Sequence, residues 1–416
     1  MKQGYKNMKC GLLGEHLGHS FSPQIHSQLA DYSYELVELA PEEVGPFVKS
    51  DKLDAYNVTI PYKKTVMPFL DVISPEAQAI GAVNTVVRRD GKLYGYNTDY
   101  FGFNYMIDAS GIEVKGKKAL VFGTGGASVT VCAVLRDRGI GELVVISIED
   151  NTPETLAKHP DADIIANATP VGMYPNNGNA PVDLSLFPNC SGVLDVIYNP
   201  SKTKLLLDAE SRGIPHINGL PMLVAQAAKA FEFFTGDSCE EGACDRITCS
   251  IELQTKNVIL IGMPGCGKST VGKLIAKMLD RPFFDADEEF IKTFNVTPAE
   301  VIGAQGEEKF RQMEHEVTEM LGKLSGTVIS CGGGVVTREY NYAPLHQNGT
   351  IIFLERELAN LSTKGRPLSQ ANSLQSLYDA RIDAYCRFAD IRVASTEIPQ
   401  KTAELMISRL TEVNEE

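Results

Sequence analysis

Residues 257–270 read Asn257-Val-Ile-Leu-Ile261 and then Gly262-Met-Pro-Gly265-Cys-Gly267-Lys268-Ser269-Thr270. A short apolar run of this kind is a buried strand. It ends in G-x-x-x-x-G-K-[ST], and the amphipathic stretch from Val271 to Leu279 continues as a helix. Glycines at Gly262, Gly265 and Gly267 let successive backbone N–H groups wrap a polyphosphate. Lys268 supplies a point charge for the outer phosphates, and the hydroxyl of Ser269, next to Thr270, can ligate a divalent cation. A nucleotide site at the head of an α/β layer therefore starts near residue 257, and more than half the chain lies before it.

The chain has 416 residues, too many for one ordinary core, so two or three domains are expected. A net charge of −14 excludes a general nucleic-acid or membrane-surface binder, and an anionic substrate must find a local positive site. Nine cysteines without regular spacing read as reduced thiols of a cytoplasmic protein. Cys239, Cys244 and Cys249 fit no zinc pattern. No apolar stretch reaches membrane-spanning length, and the N-terminal residues lack a signal-peptide core. Nothing in the sequence sets an oligomeric state.

Upstream, Lys9 to Leu13, Tyr34 to Leu39, Ala55 to Thr59 and Ala82 to Arg88 read as strands, with helices over Ser22 to Asp31 and Tyr100 to Ala109. A second unit opens with the strand Lys117 to Phe122, the turn Gly123-Thr-Gly125-Gly126-Ala127 and a helix to Arg138. Strands follow at Leu143 to Ser147, Ala162 to Ile165 and Gly192 to Asp195. Gly219 to Phe234 is a long helical pattern, and the polar, Cys-rich stretch after it reads as a linker. Downstream strands fall near 257–261, 283–285, 327–331 and 350–354.

The glycine turn, set between strand and helix, is a candidate dinucleotide-binding turn. Around it, in order, stand Ser20-Phe-Ser22-Pro, Asn57-Val-Thr59-Ile-Pro-Tyr-Lys63, Gly81-Ala-Val-Asn84-Thr85, Asn97-Thr-Asp99, Asn167-Ala-Thr-Pro-Val-Gly-Met173 and Pro221-Met-Leu-Val-Ala-Gln226. Together these resemble the shikimate dehydrogenase family from about residue 8 to 236. The resemblance implies a substrate domain over 8–110, completed by 219–236, and a Rossmann-like dinucleotide domain over 111–218. It implies Lys63 paired with Asp99 for proton transfer. Ser20 and Ser22 would bind a carboxylate, and Asn57, Thr59, Asn84 and Gln226 the ring hydroxyls. Gly123, Gly125, Gly126 and Ala127 would hold the cofactor. Taken alone, Asp99 and Ser22 could equally be helix caps.

Two departures stand out. Members of the family that use NADP usually carry an Arg just after the second strand of the dinucleotide unit. Here the chain reads Val145-Ile-Ser147-Ile148-Glu149-Asp150, and the segment to Asp163 is short. The acidic pair would repel a phosphate and could hold a ribose hydroxyl. NADP is implied by the resemblance, and NAD remains open. The second departure is Tyr100-Phe101 after Asp99, where a Gly is usual.

Behind the P-loop come Phe284-Asp285-Ala-Asp287, Gly306-Glu-Glu-Lys-Phe-Arg311, Gly332-Gly333-Gly334, Arg366-Pro-Leu368 and Arg381 four residues before Tyr385. This ordered set resembles shikimate kinase, giving a kinase domain over 257–416 behind a linker over 237–256. The resemblance implies Lys268 and Ser269 serving ATP and Mg²⁺, with Asp285 behind the metal. It places Asp287 on the substrate hydroxyls and Arg311 and Arg381 on the carboxylate, a task suited to guanidinium forks. Gly332 to Gly334 would let backbone approach the ring, and Arg366 would meet the transferring phosphoryl.

The whole chain is thus expected to be α/β throughout. It would interconvert 3-dehydroshikimate and shikimate with NADP or NAD, then phosphorylate shikimate from ATP. The alternative is a kinase fused to a dehydrogenase-like module that only binds or scaffolds, and quinate is an alternative alcohol substrate.

Overall fold

The computed structural model describes residues 2–18, 20–361 and 374–413. Close Cα packing divides them into two units. The first is Met1–Met173 with Gly178–Tyr198 and Asp208–Thr248, and the second is Cys249–Glu416 with Tyr174–Asn177 and Asn199–Leu207.

Unit 1 holds two sheets. The first contains β1 (Lys9–Gly14), β2 (Ser33–Glu38), β3 (Ala55–Val58), β4 (Val72–Ile73), β5 (Thr85–Arg89) and β6 (Lys92–Tyr96), ordered β2-β1-β3-β5-β6-β4. β1 runs parallel to β2 and β3, while β5 and β6 form an antiparallel hairpin. Its turn is Asp90-Gly91, with φ of 50° and 75°. Two positive φ values make the two-residue turn whose twist matches paired strands, and Asp-Gly is a pair that tolerates them.

The second sheet contains β7 (Lys118–Phe122), β8 (Glu142–Ile146), β9 (Ile164–Asn167), β10 (Gly192–Asp195) and β11 (His216–Ile217), ordered β11-β10-β9-β7-β8. All its pairings are parallel. Such strands are covered on both faces, which is why Ala119 to Phe122 are uniformly apolar and at most 1% exposed. Burying a side chain of that size contributes roughly 1.5–3 kcal/mol. Strand order reverses beside β7, with β8 on one side and β9 on the other, and the glycine turn lies at that switch point. Among the described residues, only a four-residue helix, Pro153–Leu156, lies between β8 and β9, so β8 is an edge.

Unit 2 holds the third sheet, made of β12 (Asn257–Ile261), β13 (Phe283–Asp285), β14 (Val328–Ser330), β15 (Gly349–Glu355) and β16 (Ile391–Ala394). The order is β13-β14-β12-β15-β16, all parallel. β12 sits at the centre with Val258 to Ile261 at most 2% exposed. The stretch read as a linker differs from expectation. It carries the helix Ala243–Thr255, with Ala243, Ile247 and Ile251 buried at helical spacing.

Candidate active sites

In unit 1 the ends of β1 and β3, the start of helix Ser22–Leu29 and helix Leu220–Thr235 surround a cavity of about 410 Å³. Ser20, Ser22, Asn57, Thr59, Lys63, Asn84 and Gln226 all line it. Asp99 stands behind Lys63, with Lys63 Nζ donating to Asp99 Oδ2 at 2.6 Å. Asp99 opens helix Asp99–Ser110 but does not cap it. Thr98 occupies the N-cap, and Asn97 Oδ1 accepts the Asp99 N–H at 3.1 Å. Ser22 is not a cap either, because its helix starts at Ser22 after Phe21. Ser20 Oγ accepts the Ser22 N–H at 3.2 Å.

Asn57 departs from the expected role of hydroxyl binder. Its Oδ1 accepts Tyr34 Oη–H at 2.8 Å and contacts His26 Nε2 at 3.1 Å, while its Nδ2 donates to Thr85 Oγ1 at 3.1 Å and to Asn84 O at 3.4 Å. An amide has four such positions, so Asn57 is saturated by the protein and frames the cavity. Asn84 is similarly set. Its Oδ1 takes the Thr98 N–H at 2.7 Å, and its Nδ2 donates to Gln226 Oε1 at 3.1 Å. The second Asn84 N–H and the Gln226 amide nitrogen remain for a ligand.

Sequence reasoning missed His26. Burial pushes its imidazole down to about 3, against the pull of the Asn57 contact. Tyr32 Oη lies 2.6 Å from its Nδ1, and Tyr34 stacks on it with ring centroids 4.0 Å apart. Burial pushes both tyrosine hydroxyls up, so each is a donor. The neutral His26 then accepts from Tyr32 and donates from Nε2 to Asn57, a tautomer assigned from the network. The signal lay in the sequence as His26 four residues after Ser22 on one helix face.

At the second sheet, β7 runs through Gly123 to Gly125 into helix Gly126–Asp137. Gly123 has φ 110°, and a Cβ there would lie 2.9 Å from Ala168 O, so only glycine fits. Gly125 and Gly126 border open space, and Gly125 caps the helix without a side chain. Backbone donors at the turn therefore suit a dinucleotide's pyrophosphate. Ala127 follows in the first turn. After β9, buried Asn167 donates to Asp195 Oδ1 at 3.0 Å and its Oδ1 accepts the Thr169 N–H at 3.0 Å, which sets the facing loop.

In unit 2 the loop after β12 and helix Lys268–Leu279 border a cavity of about 650 Å³. Gly262, Gly265 and Gly267 take φ of 147°, 83° and 105°. Lys268 Nζ donates to the carbonyls of Gly262 and Met263 at 2.9 and 3.1 Å. Ser269 Oγ donates to Asp285 Oδ2 at 2.6 Å, and Thr270 lines the same cavity. A hydroxyl and a carboxylate this close are hard oxygen donors suited to Mg²⁺, which keeps most of its waters and needs few protein ligands. Phosphate-wrapping loop, lysine and oxygen pair together fit ATP with that cation.

Across the cavity stand Asp287, Arg311, the three glycines and Arg381. Arg311 is 2% exposed and is held by Glu314 Oε2 at 2.7 Å and Glu307 Oε1 at 2.9 Å. Burial pushes the Glu314 carboxyl up despite Arg311. The glycines differ in part from expectation, because protein fills the room they leave. A Cβ on Gly334 would sit 2.3 Å from both terminal nitrogens of Arg311, and one on Gly333 would sit 2.6 Å from Pro264. The Gly333 carbonyl accepts from Arg381 Nη1 at 3.0 Å and from the Tyr385 hydroxyl. Sequence reasoning missed Glu314, one helical turn beyond Arg311, and Arg356, whose guanidinium reaches the Cys266 carbonyl at 3.5 Å. Arg366 lies outside the described residues.

Comparison with known proteins follows the same division. Residues 12–86 match the family model "Shikimate dehydrogenase substrate binding domain". Over 245 residues the chain is 40% identical to a shikimate dehydrogenase (NADP(+)) of Clostridium beijerinckii, covering 54% of this chain and 90% of that protein. The chain belongs to the shikimate dehydrogenase family. Residues 264–411 match the family model "Shikimate kinase", so a shikimate-kinase-like domain is fused behind the dehydrogenase part. The crystal structure of shikimate dehydrogenase 1 from Peptoclostridium difficile has a TM-score of 0.52 at 39% identity, covering 58% of this chain and 96% of that one. The Thermus thermophilus shikimate 5-dehydrogenase in complex with NADP(H) and shikimate has a TM-score of 0.53 at 34% identity, covering 58% and 98%. Among the described residues, no helix is long and apolar enough to cross a membrane.

Proposed function

We propose that this chain carries out two successive reactions on one cyclohexene acid. Residues 8–110 with 219–236 bind 3-dehydroshikimate or shikimate, residues 111–218 bind a nicotinamide dinucleotide, and residues 257–416 phosphorylate shikimate at its 3-hydroxyl. The observation that carries the reading is the Lys63–Asp99 pair, 2.6 Å apart at a cavity lined by hydroxyls and amides. A scaffold needs no proton-transfer pair, which favours an active dehydrogenase over a module that only binds. Relatives named for NADP(+) support a nicotinamide dinucleotide as the hydride carrier.

In the first reaction Lys63 Nζ takes or returns the proton of the reacting hydroxyl, and Asp99 holds the ammonium at that atom. Ser20 and Ser22 receive the carboxylate, while Thr59, Asn84 and Gln226 receive ring hydroxyls. The bound dinucleotide supplies hydride acceptance or donation.

In the second reaction Arg311 and Arg381 hold the carboxylate and Asp287 orients the attacking hydroxyl. Lys268 holds the phosphates, and Arg366 is assigned to the phosphoryl group by its place in the sequence pattern. ATP with Mg²⁺, held by Ser269 and Asp285, supplies the phosphoryl group. No two of the nine cysteines are joined in a disulfide, which suits a reducing, cytoplasmic setting.

The test supplies 3-dehydroshikimate, reduced dinucleotide and ATP–Mg²⁺ to the full chain and follows shikimate 3-phosphate by mass spectrometry. Phosphorylation of added shikimate without any dehydroshikimate reduction would favour the binding-module alternative. Quinate offered in parallel separates the two alcohol substrates.

A further inference from the structure

The end of β8 carries a device that the proposed dehydrogenase reaction does not itself require. The Gly123 N–H donates to Ile146 O at 2.9 Å, which fixes the last residue of β8 beside the nucleotide turn. The next residues fold into a tight hook. Ser147 Oγ donates to Asp150 Oδ2 at 2.7 Å, and the Asp150 N–H returns to Ser147 Oγ at 3.0 Å. The Asp150 carboxylate is thereby placed at the mouth of β8 with its second oxygen open. Asn151 pins the far side, donating to Pro181 O at 2.8 Å.

In a dinucleotide-binding sheet of this topology, the segment after the second strand faces the adenosine ribose. A carboxylate there accepts from a 2′-hydroxyl, whereas a basic side chain there receives a 2′-phosphate. Residues 139–157 contain Glu142, Glu149, Asp150 and Glu154 and no Lys, Arg or His. The two other segments that the topology brings to the same crevice, 123–135 and 168–173, also lack basic residues. Ile148, inside the hook, is 81% exposed, an apolar side chain where a phosphate would need a cation. A phosphate dianion at the hook would meet the Glu149 and Asp150 carboxylates, and the first basic residues of the same connection, Lys158 and His159, come only after helix Pro153–Leu156.

We propose that the Ser147–Asp150 hook makes this dehydrogenase unit select NAD(H) over NADP(H), with Asp150 accepting from the ribose 2′-hydroxyl. The inference rests on the reading that residues 8–236 bind a nicotinamide dinucleotide, and it sets this chain apart from its relatives named for NADP(+). A charge-assisted hydrogen bond from the ribose 2′-hydroxyl to Asp150, which a 2′-phosphate cannot donate, is worth roughly ten- to hundredfold in affinity. NAD⁺ is therefore favoured by about tenfold or more.

The test is isothermal titration of the full chain with NAD⁺ and with NADP⁺, paired with shikimate oxidation by each. Expected are tighter binding of NAD⁺ and a matching preference in kcat/KM. Ile148→Arg should raise NADP⁺ affinity by roughly tenfold, and Asp150→Ala should weaken NAD⁺ alone. Ile148 is exposed, so its replacement leaves the core untouched. Equal or tighter NADP⁺ binding by the natural chain would overturn the inference while leaving the dehydrogenase reading in place. So would an Ile148→Arg variant without gain. Failure to bind or turn over either dinucleotide would remove both.

Discussion

Lys63 Nζ donates to Asp99 Oδ2 at 2.6 Å, although 36 residues separate them along the chain. Lys63 comes from the turn after β3 and Asp99 from the first position of a helix after β6, so the pairing depends on β3, β5 and β6 lying side by side. Proton transfer by a positioned side chain is worth about 10²–10⁴ in rate. Lys63→Ala should lower shikimate oxidation by that factor. The two cavities share no residue, so kinase kcat should be unchanged, and Lys268→Ala should do the reverse. Steady-state kinetics of each half-reaction in each variant decide it; loss of both activities in one variant contradicts two separate sites.

Gly334 touches Arg311 so closely that a single methyl group tests the substrate clamp. A Cβ there would approach both terminal nitrogens to 2.3 Å, and Arg311, at 2% exposure, cannot swing out to solvent. Gly334→Ala should displace the guanidinium and raise the KM for shikimate by about tenfold or more, the cost of one charged hydrogen bond. Dehydrogenase activity should be retained. An unchanged KM would mean that Arg311 does not hold the substrate.

The Arg311–Glu314 contact at 2.7 Å is a buried ion pair, and such pairs are costly to break from one side. Arg311→Ala strands the Glu314 carboxylate and should destabilise the kinase unit by about 3–5 kcal/mol. Adding Glu314→Gln removes the stranded charge and should recover part of that loss. A double-mutant cycle on the unfolding midpoint measures the coupling, and additive effects would refute it.

What could be read in advance follows from how local each signal is. The P-loop and the Gly123 turn are contiguous, because a strand, a glycine turn and a helix must follow one another to bind phosphate. β4 and β11 have two residues each, too few for any periodicity to register. The helix Ala243–Thr255 was hidden because only three apolar positions face inward amid charges and thiols. The residues of both sites could be named from their motifs, but not their geometry. The saturation of Asn57 by His26, Tyr34 and Thr85 depends on four separate segments meeting.

His26 makes the acid stability of unit 1 predictable. Its ring is buried against Tyr32, Tyr34, Asn57 and Phe234, and both tyrosines are pushed towards their neutral forms, so none of these neighbours supplies a charge. Burial lowers the imidazole from 6.5 to about 3. In the unfolded chain His26 takes up a proton as pH falls below about 6.5, whereas the folded ring stays neutral until about 3. Unfolding therefore binds a proton throughout that window. Stability from this group is full above the unfolded value and is lost as pH falls, at about 1.4 kcal/mol per pH unit. Between pH ~6.5 and ~5 most carboxylates are still ionised, and comparison with a protein that lacks His26 separates this group from the six other histidines of the chain. His26→Asn should lower overall stability but flatten the slope in that interval. Calorimetry across the interval, following the transition that the substitution shifts, provides the measurement. Equal slopes in the two proteins would show that the folded ring accepts a proton as readily as the unfolded one, and with it would go the neutral donor assigned to Asn57.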